Sequence, residues 1–356
     1  MTITLDGTNG ITSPNETVTG QFSSGSTFAY KNRIINGGMV IDQRNAGASV
    51  TLPSTGNQYT LDRWTCASCN ASKYSVQQNA GSVTPPVGFT NYLGVTSLAA
   101  TTVAAGDYYF LVQYIEGYNI ADLNFGTVNA KTVTLSFWVR SSLTGTFGGA
   151  LQAQGSTRTY PFGYSISVAN TWTQISVTVA GETTGTWFTT NGVGLQVFFG
   201  LGIGTTYSGT TGSWSTSNYI SVTGAVSVVG TSGATFYITG VQLEKGSIAT
   251  SFDYRPYGTE LAMCQRYYQK FTPTSFRGYN VGAGNLLSSQ IKNATTMRSS
   301  PTGSVITAPT ATANITAGTF SFAETSPDFN TISFTGAAAG QSYYSGDGIF
   351  SISAEL

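Results

Sequence analysis

The sequence predicts an all-β protein with a large sandwich or barrel domain, a short helical junction and a smaller C-terminal β-sandwich domain. The first observation behind this is the alternation of apolar and polar residues, which is typical of strands with one buried face. The second is the 43 glycines, which suit many turns and bulges. The third is that helical spacing occurs clearly in one short segment near residue 260.

Four runs carry the strand signal most clearly. These candidate strands are residues 131–140, 173–179, 195–199 and 235–243. In the first of them, every second residue from Val133 to Val139 is apolar, so one face is expected to be buried. Segments rich in Gly, Ser, Thr and Asn separate the runs. Many strands joined by such loops indicate a sandwich or a barrel.

The chain is expected to divide into four regions. They are a polar lead segment over residues 1–30, the large β domain over 31–256, a helical junction over 257–271 and a C-terminal β domain over 272–356. In the junction, a helix is predicted over residues 259–270, because Thr259 can cap it and Glu260 suits the positive end of the helix dipole.

One face of that predicted helix carries Leu261, Cys264 and Tyr268 at helical spacing. Two uses of this face remain open. It can pack against its own domain, or it can be the place where three chains meet on a threefold axis. The second use makes these three residues candidate trimer contacts.

Charge is scarce in this sequence. Charged residues make up 8% of the chain and the net charge is zero. Between residues 141 and 243 there are two charged side chains, Arg158 and Glu182. Nucleic acids and anionic membrane surfaces attract clustered Lys and Arg, so we expect neither as a partner. A folded domain with a neutral surface rich in hydroxyl groups is the better interpretation.

Histidine is absent, which removes Ser-His-Asp and Cys-His catalysis and His-ligated metal sites. Cys66 and Cys69 resemble half of a zinc motif, but the only other cysteine is Cys264. In an extended segment Cys66 and Cys69 would also point to opposite faces. We therefore predict free thiols, no metal site and no cofactor.

A pair of carboxylates, as in glycoside hydrolysis, is the remaining route to an enzyme. Asp107, Glu116 and Asp122 cluster along the chain, and Glu182 is the one acid in the middle of the large domain. Isolated acids of this kind more often hold turns or hydrogen bonds than act as catalysts. We expect no catalytic residues and no enzymatic activity.

Aromatic residues in loops are the remaining functional signal. Trp187, Tyr207 and Trp214 lie in segments rich in Gly, Thr and Ser, and they are candidate glycan-binding residues. A ring face stacks on the apolar face of a sugar, while neighbouring polar side chains bond its hydroxyl groups. The alternative is that these rings plug their loops onto the core.

The first ten residues are polar, with neither a basic region nor an apolar stretch, so no signal peptide is predicted. No apolar run approaches about 18 residues, so no membrane insertion is expected. We therefore expect the chain to fold in the cytoplasm of the cell that makes it.

Several segments, in order along nearly the whole chain, resemble phage tail fibre and prophage tail proteins with a jelly-roll domain like a carbohydrate-binding module. The segments are residues 32–44, 59–64, 113–116, 133–140, 236–246, 260–270, 297–302 and 353–356. Residues 4–11 are similar to the lead segments of phage structural proteins. Each segment is modest alone, and their shared order makes the resemblance more specific.

This resemblance implies a virion structural protein, a trimeric receptor-binding tail fibre that contacts host surface glycan. Residues 1–30 would then attach it to the tail or to another virion protein. Low charge and open β edges also favour pairing between chains in closed symmetry. The alternatives are a head fibre or capsid decoration protein, and a tailspike that degrades polysaccharide.

Overall fold

The computed structural model describes residues 30–53, 56–156, 158–310 and 312–356. The lead segment predicted over residues 1–30 lies outside the described residues, except for Tyr30. Over the described ranges the chain forms 23 strands, numbered here in chain order, and one α-helix. The prediction of an all-β fold is therefore confirmed.

Sheet A of the large domain has six antiparallel strands. In spatial order they are β1 (Val50–Thr51), β4 (Tyr74–Gln78), β5 (Leu93–Ser97), β14 (Thr235–Lys245), β7 (Val133–Ser141) and β10 (Thr173–Val179). The candidate strands at 131–140, 173–179 and 235–243 are all part of this sheet.

Sheet B of the large domain also has six antiparallel strands. In spatial order they are β2 (Asn57–Leu61), β3 (Trp64–Ser68), β6 (Tyr108–Glu116), β11 (Val193–Ile203), β8 (Gly145–Ala153) and β9 (Thr159–Ile166). The candidate strand at 195–199 is the middle of β11, which is longer than the sequence pattern showed.

The two sheets pack face to face over one apolar core. As the alternation predicts, the residues of β7 from Val133 to Val139 that face the core are buried. Phe137 of sheet A lies 5.1 Å from Phe199 of sheet B between ring centroids, with the rings nearly perpendicular. Aromatic pairs in this arrangement stabilise a core beyond the burial of their area. The large domain is thus a β sandwich, as expected for a jelly roll.

The helix α1 spans Tyr257–Gln265, so the prediction of a helix over residues 259–270 is wrong at both ends. It begins directly after Pro256, and Thr259 is inside the helix rather than its cap. After Gln265 the chain turns and forms strand β15, Tyr268–Phe271. Pairing with another strand satisfies the backbone there, so tertiary context overrides the helical spacing.

The proposed trimer face of the helix is largely covered by its own chain. Cys264 is fully buried beside Ile35 and Tyr267, and Tyr268 is 6% exposed. Leu261 packs at the border of the same cluster and is half-buried. Cys264 and Tyr268 therefore have too little free surface to serve as contacts between chains, which corrects the prediction for these two residues.

The C-terminal domain consists of three small antiparallel sheets with three strands each. In the first sheet, β23 (Ile349–Ser353) lies between β15 and β18 (Thr302–Thr307). In the second, β22 (Gly340–Tyr344) lies between β16 (Phe276–Asn280) and β19 (Thr312–Ala313). In the third, β21 (Phe329–Thr335) lies between β17 (Leu286–Lys292) and β20 (Ser321–Thr325). Phe334 joins two of these sheets, since its ring lies 5.3 Å from that of Phe276 and 5.4 Å from that of Tyr344.

A buried carboxylate connects the large domain to the chain that follows α1. Glu116, at the end of β6, is 1% exposed. It accepts hydrogen bonds from Arg266 Nε at 3.0 Å, from Arg266 Nη2 at 2.7 Å and from the Tyr267 hydroxyl at 2.6 Å. A carboxylate removed from water needs such partners, so this contact fixes the junction to the sandwich.

A second set of ion pairs ties the last residues of the chain to sheet B. Glu355 pairs with Arg44 at 2.6 Å and with the buried Arg63. Arg298 donates to the carbonyl oxygens of Ala354 and Glu355, at 2.8 and 2.9 Å. The C-terminus is therefore held against the large domain.

In the described ranges, no helix has the length and apolar character needed to cross a membrane.

We predict that Glu116→Gln lowers the free energy of unfolding by about 3 kcal/mol, because Arg266 and Tyr267 lose a charged acceptor in a buried site. Chemical denaturation of the full chain measures this. Asp122→Asn is the control, since Asp122 pairs with Arg33 and Lys245 at the surface and its loss should cost less than about 1 kcal/mol. Equal losses in the two variants would contradict a structural role for Glu116.

A further prediction concerns pH. Burial raises the pKa of Asp62 from 3.8 to about 6, against the opposing effect of Arg44. A carboxyl group with a higher pKa in the folded state makes the protein less stable as pH rises from about 4 to about 6, by up to about 3 kcal/mol. Asp62→Asn, which stays neutral and keeps an oxygen for the Gln43 amide, should remove most of this decline. Denaturation at several pH values measures it, and identical slopes in both proteins would refute it.

Candidate functional site

The outer face of sheet B is aromatic in its central strand. In β6, Tyr109 and Leu111 face the core, while Tyr108, Phe110 and Tyr114 lie on the opposite face. This follows from the alternation of side chains along a strand. Because the sequence places rings on both faces of β6, part of its aromatic surface cannot enter the core.

The neighbouring strands complete this face. Phe198 of β11 packs against Phe110, with ring centroids 5.0 Å apart and nearly perpendicular. Gln196 of β11 and Gln152 of β8 lie beside them, and both are largely buried. The floor thus combines apolar rings with uncharged amide groups.

The loop over residues 204–222 forms one wall above the sheet. It contains two short parallel strands, β12 (Ser208–Gly209) and β13 (Ser221–Val222). The loop lies close to β8 at Gly148, where a Cβ atom would be 2.8 Å from the Val222 nitrogen. Glycine at this position therefore allows the loop to approach the sheet and carry Tyr207 to its outer face.

Together these elements enclose a cavity of about 230 Å³, which we call the sheet B groove. It is lined by Asn57, Tyr108, Phe110, Tyr114, Gln152, Gln196, Phe198, Tyr207, Asn218 and Ile220. None of these lining residues is charged. The groove therefore suits a neutral ligand with both apolar and hydrogen-bonding surfaces.

Hydrogen bonds hold the polar groups of the groove in place. Gln152 Nε2 donates to Asn218 Oδ1 at 2.9 Å, and Gln196 Nε2 donates to Gln152 Oε1 at 3.3 Å. On the other side, Asn57 Nδ2 donates to the Tyr114 hydroxyl at 2.7 Å. Side chains fixed in this way lose little freedom when a ligand binds, which favours affinity.

The tyrosine beside Asn57 stays a neutral phenol at ordinary pH. Burial, followed by the nearby Tyr59, raises the pKa of Tyr114 well above its usual value of 10.0. The hydroxyl of Tyr114 is therefore available as a hydrogen-bond donor rather than as an anion.

The three aromatic residues predicted from sequence do not form one site. Tyr207 lies in the sheet B groove, with its ring 5.9 Å from that of Tyr108. Trp187 and Trp214 lie outside the lining of that groove and form a separate cluster with Phe125. The structure thus brings Tyr207 together with residues that the sequence analysis did not select.

Trp187, one of the candidate glycan-binding residues, is buried. Trp187 is 9% exposed and belongs to the main core, with its ring 5.7 Å from that of Trp214. Its indole nitrogen donates to the Thr184 carbonyl oxygen at 3.2 Å, and that of Trp214 donates to the Ala180 carbonyl oxygen at 2.8 Å. These contacts correspond to the alternative interpretation, in which the rings plug their loops onto the core.

Each of the acids weighed as catalysts has a structural partner. Glu116 is engaged with Arg266, Asp122 with Arg33 and Lys245, and Glu182 with Arg158. Asp107 accepts a hydrogen bond from the Ala104 nitrogen at 2.9 Å in a turn. These four carboxylates are absent from the lining of the sheet B groove.

The cysteines are free thiols. Strand β3 ends at Ser68, and Cys66 and Cys69 both contact the main core, so the expectation that they point to opposite faces is wrong. Burial raises the pKa of Cys66 to about 12, which keeps it protonated. Within the described ranges, no group of three or more His, Cys, Asp and Glu side chains is placed to hold a metal ion.

Sequence reasoning missed most of the groove. Its floor comes from Tyr108, Phe110, Tyr114, Gln196 and Phe198, all within strands. A signal existed in residues 108–116, where aromatic residues occupy alternate positions on both faces of a single strand. That pattern indicates a strand whose second aromatic face lies outside the core and is available to bind a partner or ligand.

No protein-family model matches the sequence, and no curated protein matches it. Solved structures similar to it include the enzymatically active domain of tailspike protein 4 from bacteriophage CBA120, at 12% identity and a TM-score of 0.31 over 61% of this chain and 22% of that one. A family 11 carbohydrate-binding module from Clostridium thermocellum has 11% identity and a TM-score of 0.28 over 57% of this chain and 98% of the module. A putative sugar-binding protein from Bacteroides thetaiotaomicron has 12% identity and a TM-score of 0.32 over 60% of this chain and 100% of that protein. Likenesses this distant carry no argument about function.

Proposed function

We propose that this protein binds a neutral glycan in the sheet B groove. The observation that supports the proposal is the lining itself, which combines five aromatic rings and a branched aliphatic residue with four amide side chains and contains no charge. Sugars present apolar faces and many hydroxyl groups at once, and this is the combination that such a lining recognises.

Each type of side chain has a role in this proposal. The half-buried rings of Tyr108 and Tyr207 meet nearly at a right angle and offer faces on which pyranose rings stack. The amides of Gln152, Gln196 and Asn218 form a connected row that donates to and accepts from sugar hydroxyl groups. An uncharged site avoids the cost of removing water from an ion when an uncharged ligand binds.

We further propose that the groove binds without cleaving. Glycoside hydrolysis needs a pair of carboxyl groups flanking the bond that breaks. The lining of the sheet B groove includes neither Asp nor Glu. The polysaccharide-degrading tailspike is therefore the weaker alternative at this site.

The biological setting that we propose is a trimeric phage tail fibre that contacts the host surface. Support comes from the segments that resemble tail fibre proteins, because several of these segments form hydrogen bonds with one another in the structure. Asn32 Nδ2 donates to the Val241 carbonyl oxygen at 3.0 Å, and the Gln113 side chain bonds the backbone of Ile35 at 2.8 and 2.9 Å. The resemblance thus rests mainly on structural residues at the base of the sandwich, while binding loops are free to differ.

We predict that full-length protein binds neutral oligosaccharides on a glycan array. In calorimetry, Tyr108→Ala should raise the dissociation constant about tenfold, because the lost stacking contact removes about 1 kcal/mol or more of binding free energy. Tyr257→Ala is the control, because Tyr257 is 64% exposed on α1 and outside the groove. Absence of binding to any neutral glycan, or equal binding by both variants, would overturn the proposal.

A separate prediction tests the virion setting. Antibodies against the C-terminal domain should label the tail tip region of intact phage particles in electron micrographs. Labelling of the capsid instead would favour the head fibre or decoration protein. Light scattering of the purified chain should give a mass near three times 37.3 kDa. A monomer in solution would contradict the trimeric fibre.

A further inference from the structure

A second surface with binding character lies in the C-terminal domain, on the outer face of strands β16 and β22. These strands pair antiparallel, with Arg277 opposite Tyr343 and Tyr279 opposite Gln341. Since side chains alternate along a strand, these four residues share one face. They line an open cavity of about 490 Å³, which we call the β16–β22 face.

The opposite side of the same two strands fixes their position. Phe276 and Tyr344 stack with ring centroids 5.9 Å apart, and both contact Phe334 in the core of the C-terminal domain. Ser342 is likewise buried. The outward side chains are therefore mounted on a packed sheet rather than on a loop, which suits a binding surface.

The two tyrosines of this face are unusually open for rings of their size. Tyr279 is 69% exposed and Tyr343 is 39% exposed. They stand diagonally across the strand pair, a position in which the residues are about 7–8 Å apart. Two rings at this spacing each offer a surface to one unit of an oligosaccharide.

Arg277 distinguishes this face from the rest of the molecule. Of the nine arginines in the sequence, the other eight each donate a hydrogen bond or form an ion pair. Within the described part of the chain, Arg277 does neither, and its guanidinium carbon lies 5.8 Å from the Tyr343 ring centroid. In a protein with so few charges, an unpaired guanidinium held beside two open rings points to an acidic partner.

We propose that the β16–β22 face is a second ligand site, for a sugar that carries a carboxylate. The planar guanidinium of Arg277 bonds a carboxylate through two parallel N–H donors. The ring faces of Tyr279 and Tyr343 stack on the sugar units, and the exposed amide of Gln341 bonds hydroxyl groups. The ligand class is a uronic acid or another acidic sugar within an oligosaccharide.

This site differs from the sheet B groove in place and in charge. It lies in another domain and contains a free cation, whereas the groove has no charged lining residue. The two sites therefore select different sugars, and the inference stands without the function proposed for the groove.

A second copy of this chain is the main competitor for this face, because Val281 and Leu286 nearby are 77% and 64% exposed. The charge favours the acidic ligand instead. In a closed symmetric contact built on this face, copies of Arg277 would be brought towards one another without a carboxylate at hand, which is unfavourable.

The test uses the full chain on an array of carboxylate-bearing oligosaccharides printed beside their carboxyl-reduced counterparts, followed by calorimetry with the best acidic glycan. The unmodified chain should bind acidic glycans and lose at least tenfold in affinity for the reduced form. Arg277→Gln should lose at least tenfold in affinity for the acidic glycan. Arg277→Lys, which keeps the charge but not the two parallel N–H donors, should lose less affinity. Lys292→Gln is the charge-matched control, since Lys292 is exposed in the same domain on another sheet.

The proposals for the two sites can be tested independently. Tyr108→Ala should leave binding of the acidic glycan unchanged, and Arg277→Gln should leave binding of a neutral glycan unchanged. The inference is overturned if no acidic glycan binds, if Arg277→Gln and Lys292→Gln weaken binding equally, or if sulfated sugars that lack a carboxylate bind as well as carboxylated ones. It is also overturned if Tyr279→Ala converts an oligomer to a monomer in sedimentation, because the face then belongs to a second copy.

Discussion

The burial of the Glu116 carboxylate constrains the whole arrangement of this protein. A carboxylate withdrawn from water must be matched by cationic and hydroxyl donors, and both of them come from the chain just after α1. Glu116 ends the same strand whose outward rings form the floor of the sheet B groove. One contact therefore fixes the end of β6, the position of the junction and, through β15, the start of the C-terminal domain. The position of the groove and the position of the junction therefore depend on the same contact.

Several of the few charges in the sequence serve contacts of this kind. Arg63 is fully buried and pairs with Glu355, and Arg158 pairs with the buried Glu182 at 2.6 Å beneath the loop that carries Trp187. Such pairs stabilise less than apolar packing would, but they specify which segments meet. A consequence is that the outer surfaces of the large domain are left nearly neutral. Among the arginines, Arg277 is the one that makes neither a hydrogen bond nor an ion pair within the described residues, and this contrast is the basis for assigning it an acidic ligand.

The sequence predicts local periodicity well and contacts between distant segments poorly. The alternation in residues 131–140 identifies both β7 and its buried face, because it depends on the residues of one strand. The helix prediction fails beyond Gln265, since strand pairing between Tyr268 and Ser353 is invisible in local spacing. The groove depends on a long loop that carries Tyr207 and Asn218 over β6, which lies about a hundred residues earlier in the sequence. Loop composition likewise gave no indication that Trp187 is buried, because burial is decided by Phe125 and Trp214 around it.

The two proposed sites, one neutral and one cationic, would act together on a surface that displays both kinds of sugar. Sites for single oligosaccharides are weak, because association costs several kcal/mol before any contact contributes. When the junction holds both sites in fixed relation, binding at one makes binding at the other an intramolecular event with a high effective concentration. In a trimer this gain applies to six sites at once. A surface that displays a neutral and an acidic sugar close together would then be held far more tightly than a surface with either sugar alone, so the selectivity comes from the pair of sites rather than from either one.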